Sequence, residues 1–281
     1  VSGVDGFSLD SCSFDEGANG SKAVFTVERF RDELYPALSA RDAKCVDLLF
    51  LSIDNANILD ILKHGEEAKI GQVGCYSKEE LLDIIASAKD GDAPRKDVPS
   101  YLYRFFDYYI ANESNENIIW NDVLSAYYYD YATASSNKFV AAWFAFNRNV
   151  NNILVAFTAR KYKMNITDVV IGDDEVANLL RTSAARDFEL SGTLDYFEAV
   201  QRMSENSKLQ EREHQLDELR WNWLDDNSVF NYFTVERLFV FLQKLIIIER
   251  WEALDAEAGM KRYNEMIAEL KSGMDKLSFE V

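Results

Sequence analysis

The chain has 281 residues, and its 48 acidic against 30 basic side chains give a formal net charge of −18 at pH 7. Because 48% of the residues are hydrophobic, the chain can bury a large core, which excludes wholesale disorder. Only 3 prolines and 12 glycines are present, too few for a sandwich or barrel, so a mostly helical chain is expected. So acidic a chain repels phosphates, and no nucleic-acid partner is expected.

Targeting and membrane signals are missing from the sequence. The first ten residues, VSGVDGFSLD, contain no basic segment followed by an apolar one, as a signal peptide would. No apolar run reaches the roughly 18 residues that span a bilayer. An odd number of cysteines, three, suits a reducing compartment. The expectation is a soluble cytoplasmic protein without direct membrane insertion, peripheral to the membrane through a complex.

The N-terminal third of the chain predicts short helices after an irregular start. Residues 1–23 are rich in Gly, Ser and Asp and predict a loop with, at most, one short strand. Helical periodicity begins at Thr26 and stops at Pro36. Two further helices are expected over 39–51 and about 56–63.

A capping box and a linker organise the next segment. Ser77 and Glu80 have the spacing that opens a helix. Residues 90–99 hold two of the three prolines and predict a linker. Aromatic helices are then expected over 101–111 and 118–131.

A long helix is predicted over 137–163. Its apolar residues alternate in spacings of four and three and so form one stripe: Phe139, Trp143, Phe146, Val150, Ile153 and Phe157. At 1.5 Å per residue, a helix of about 25 residues is about 37 Å long.

The C-terminal part predicts three more helices. Asp173 and Asp174 stand where a helix dipole favours acids, just before the run EVANLLRT. A long polar helix is expected from Thr193, and a last helix from Thr234 to about Lys271, with Gly259 as its point of bending. The regions 1–90, 91–192 and 193–281 are the expected domains, or one continuous domain.

Motifs for common chemistry are not found. The sequence lacks the phosphate-binding, dinucleotide-binding, zinc-protease, C-x-x-C and EF-hand patterns. His64 and His214 stand far apart, and Cys45 lies on an apolar helix face, as a core residue does. No catalytic residue, metal site or cofactor is expected.

Polar residues crowd the long helix, although Asn is a poor helix former. They face water, bond to an adjacent helix, or form a polar surface for a partner. The candidate interface residues are Asn147, Arg148, Asn151, Asn152 and Arg160.

Residues of this helix also carry a family resemblance. The segments Trp143–Ile153, Ala159–Tyr162 and Ile171–Leu180 resemble a helix, and the Gly-then-helix segment after it, in the C subunit of V/A-type ATPases, which is the d subunit of the eukaryotic enzymes. The opening FTVERFRDELYP at residues 25–36, and the layout of nearly the whole chain, resemble a bacterial family of uncharacterised proteins encoded among V/A-type ATPase subunits.

The resemblance implies an all-α, funnel-like architecture of long helices in three related subdomains. It implies a non-catalytic central-stalk subunit that couples the rotor shaft to the membrane rotor ring during ion transport, with other ATPase subunits as partners. The repeated pentapeptide FTVER at 25–29 and 233–237 is compatible with related subdomains.

Two alternatives remain open from the residues alone. One is a helical adaptor unrelated to the ATPase, for which a repeat period of about 30–45 residues would be expected and is not found. The other is a helical enzyme, whose pocket would gather several of Asn147, Asn151, Arg160, Tyr128 and Asp130.

Overall fold

The computed structural model describes residues 26–228 and 234–254. Within these ranges the protein is all-α, with ten helices and no strand. The helices are Val27–Glu33 (α1), Ala40–His64 (α2), Lys78–Asp90 (α3), Ser100–Asn112 (α4), Trp120–Thr133 (α5), Lys138–Tyr162 (α6), Glu175–Thr182 (α7), Phe197–Glu205 (α8), Leu209–Ser228 (α9) and 235–254 (α10).

The chain divides into two compact units, residues 39–236 and residues 1–38 together with 237–281. In the second unit the backbone N–H of Val27 donates a 2.7 Å hydrogen bond to the Glu249 carboxylate. The rings of Phe30 and Phe241 lie 6.4 Å apart, and both side chains are buried. The division into three regions made from the sequence stays a prediction.

Aromatic contacts hold the larger unit together. In its first half, Tyr128 of α5 donates a 2.6 Å hydrogen bond to the Leu48 carbonyl of α2, and its ring contacts Tyr101 of α4 at 5.9 Å. In its second half, Trp223 of α9 stacks on Phe146 of α6 at 5.3 Å. Such rings bury more apolar area per residue than most aliphatic side chains.

Several predicted elements are confirmed. The Ser77–Glu80 capping box is complete, with both reciprocal hydrogen bonds present. The long helix predicted over 137–163 is α6, Lys138–Tyr162. Cys45 is buried, as a core residue should be. The expected loop or strand over 1–23 and the bend at Gly259 lie outside the described residues, as do Phe25 and Phe233 of the repeated pentapeptide.

Two helix boundaries differ from the prediction. The helices expected over 39–51 and 56–63 are one continuous helix, α2. Between the two expected ranges, Asp54 is buried and accepts a hydrogen bond from the Cys75 N–H, so its carboxylate has a partner without ending the helix. The polar helix expected from Thr193 begins only at Phe197 and is interrupted between α8 and α9, where Asn206 adopts an extended conformation.

Among residues 26–228 and 234–254, no helix is both long and apolar enough to span a membrane.

Candidate functional site

Helix α6 carries all five residues predicted to contact a partner. It starts after Asn137, whose side-chain oxygen accepts a 3.1 Å hydrogen bond from the Val140 N–H. The predicted apolar stripe faces the core, since Trp143, Val150 and Ile153 are buried. The polar residues emerge beside this stripe and must therefore find partners inside the protein or at its surface.

Asn147 connects α6 to α9. Its side-chain nitrogen donates to the Trp143 carbonyl at 2.9 Å, and its oxygen accepts from Arg220 Nε at 2.9 Å. Arg220 also pairs with the buried carboxylate of Asp217 at 3.0 Å. Asn147 is itself buried, and both of these side-chain hydrogen bonds are made within the chain.

Arg148 connects α6 to the start of α7 and to α5. Its guanidinium forms ion pairs with Asp174 and, at 3.8 Å, with Asp130. Asp174 also caps α7 by accepting from the Ala177 N–H at 2.8 Å. Gly172 has a φ of +83°, and a Cβ there would lie 2.9 Å from Arg148 Nη1, so both conformation and space require glycine.

Asn152 holds the segment between α6 and α7. Its oxygen accepts from the Ile171 N–H at 3.0 Å, and its nitrogen donates to the Ile171 carbonyl at 2.7 Å. The side chain is 2% exposed. One buried amide thus satisfies both backbone groups of a single loop residue.

Asn151 is half-buried and donates a 3.0 Å hydrogen bond to the Tyr129 hydroxyl of α5. Burial raises the pKa of Tyr129, although Arg220, Asn151 and Arg148 act in the opposite direction. The hydroxyl therefore remains neutral at physiological pH and acts as a hydrogen-bonding group rather than a base.

Arg160 lies near the C-terminal end of α6. Its guanidinium donates to the carbonyls of Ser183, Ala185 and Arg186 at 2.7–3.0 Å and lies 3.4 Å from the centroid of the Phe188 ring. Burial lowers the pKa of Arg160, partly offset by Asp187, but a guanidinium remains charged. The residue joins α6 to the irregular segment after α7.

The five candidate residues share a helix but not a site. They reach α9, α7, α5 and the 183–186 segment separately, and of the five only Asn151 lines a groove on the second half of α6. Their contacts link α6 to neighbouring parts of the same chain. Their role as a partner interface stays a prediction. Apart from the Trp143 carbonyl, which is four residues from Asn147, their partners lie 18 to 73 residues away in sequence, so no local pattern could have identified them.

The groups proposed for an enzymatic pocket are also dispersed. Tyr128 is buried against α2, Asp130 is half-exposed beside Arg148, and Arg160 faces the 183–186 carbonyls. Across the residues that the structure describes, no group of three His, Cys, Asp or Glu side chains could hold a metal ion.

Comparison with known proteins gives a family but no characterised relative. No curated protein and no solved structure matches the chain. Residues 8–274 match the model of a family described as "Protein of unknown function (DUF2764)". Since this match covers nearly the whole chain, the protein belongs to the DUF2764 family.

Proposed function

We propose that the protein is a non-catalytic central-stalk subunit of a V/A-type ATPase that couples the rotor shaft to the membrane rotor ring during ion transport. The observation that supports a mechanical role is the bracing of α6. This helix of 25 residues, about 37 Å long, is tied to its neighbours by polar contacts at three levels: the buried Asn147 and Asn152, and the partly exposed Arg160.

Such bracing resists bending. Residues 147 and 160 are about 20 Å apart along the helix axis. A bend between them would separate hydrogen-bonding partners, and each group left unpaired in a buried position, as at Asn147 and Asn152, costs about 1–3 kcal/mol. Close packing of Trp143 and Phe146 against Trp223 adds resistance over the first half of the helix. A part that transmits torque needs this stiffness.

The identity of the complex rests on the sequence resemblance. Residues of α6 and α7 resemble the ATPase C subunit, and the layout of the chain resembles proteins encoded among V/A-type ATPase subunits. The resemblance further implies a funnel of helices in three related subdomains, which receives the shaft on its concave side. The protein would lie on the cytoplasmic side of the membrane and be held there by its partners.

The proposal is tested by purifying the full-length tagged protein from the membranes of cells that make it, in mild detergent. Mass spectrometry should recover rotor-shaft and ring subunits in near-equal amount with the tagged chain. Recovery with unrelated soluble proteins would favour the helical adaptor, and recovery of the chain alone would contradict a stable place in the complex.

A second measurement addresses the enzymatic alternative. The purified chain should neither hydrolyse ATP nor bind it stoichiometrically, because the sequence holds no phosphate-binding motif. Tight binding of one nucleotide per chain would contradict a purely coupling role.

A further inference from the structure

We draw no further inference here: the strongest candidate, the largely apolar groove of about 360 Å³ beside the second half of α6, is lined by one cation, Arg212, and one anion, Glu213, so nothing in the structure shows what covers it.

Discussion

Arg148 carries its charge on a side chain that is only 9% exposed, and Asp174 is its nearest counter-charge. We expect Asp174→Asn to lower the free energy of unfolding by about 3 kcal/mol, because it leaves the buried Arg148 cation with only Asp130 as a counter-charge. Asparagine caps helices as well as aspartate does, so the cap of α7 should survive this change. Urea denaturation of the wild type and the variant measures the difference.

The neighbouring acid offers a matched control. Asp173 is fully exposed and lies 3.6 Å from Arg181, so Asp173→Asn should leave the urea midpoint unchanged. Asp174→Ala should cost about 1 kcal/mol more than Asp174→Asn, since it also removes the cap. Equal midpoints for the Asp173 and Asp174 variants would show that the Arg148 pair contributes nothing.

Asn152 and Asn149 allow the same substitution at two sites of one helix. Asn152→Leu leaves both backbone groups of Ile171 without their partner, which should lower the free energy of unfolding by about 2–4 kcal/mol. It should also speed amide hydrogen exchange at Ile171.

Asn149→Leu should have little effect or raise stability. Asn149 reaches Tyr196 only at 3.5 Å, and its oxygen is buried without a partner in the described part of the chain. If the two leucine variants unfold at the same denaturant concentration, the Asn152 contacts with Ile171 do not hold the loop.

The sequence marked the polar side chains of α6 as candidates but did not indicate what each one touches. An Asn in a helix that is otherwise apolar is visible as a departure from propensity. That Asn152 pairs with a loop backbone and Arg148 with Asp174 depends on how the chain folds back after Gly172. Such long-range pairing leaves no local signal.

Helix α2 shows, for a whole element, that long-range contacts leave no local signal in the sequence. Two separate helices were expected over 39–51 and 56–63, yet Asp54 and Asn57 are buried inside one helix of 25 residues. The Asp54 carboxylate accepts from the Cys75 N–H at 2.7 Å, and Asn57 donates to the Gln72 carbonyl at 2.9 Å. A Cβ at Gly74 would overlap the Asp54 carboxylate, so the loop approaches the helix closely.

The contact between α5 and α2 includes the buried hydroxyl of Tyr128, and it leads to a prediction for stability at alkaline pH. Burial raises the pKa of Tyr128 well above its ordinary value of 10.0, and it does the same for Tyr101. The folded state therefore keeps a proton that the unfolded state loses above about pH 10, so stability is complete below that pH and falls as pH rises.

Tyr128→Phe should flatten this alkaline loss by up to about 1.4 kcal/mol per pH unit. At neutral pH the same variant should cost about 1 kcal/mol, because the hydrogen bond to the Leu48 carbonyl is lost. Urea denaturation between pH 8 and pH 11 measures both effects. Parallel curves for wild type and variant would mean that Tyr128 ionises equally in the folded and unfolded states.

For the molecule as a whole, composition and periodicity predicted the all-α class, and the described residues confirm it. The class was predictable because its signals are local. Scarce Pro and Gly, and apolar residues spaced three and four apart, can be recognised within each segment without knowledge of its contacts. The break at Asn206 between α8 and α9 was missed because no Gly or Pro marks it. The groove beside α6 needs three separate elements to meet, so it is visible only in the structure.

The coupling role makes a direct prediction for the assembled ATPase. Membranes from cells lacking this chain should still hydrolyse ATP, because the proposed subunit contributes no catalytic residue, but should not transport ions. The measurement is the ratio of ion transport to ATP hydrolysis in sealed vesicles, with and without the gene and after its restoration. We predict a ratio near zero without the chain and recovery when it is restored. An unchanged ratio without the chain would contradict a coupling role.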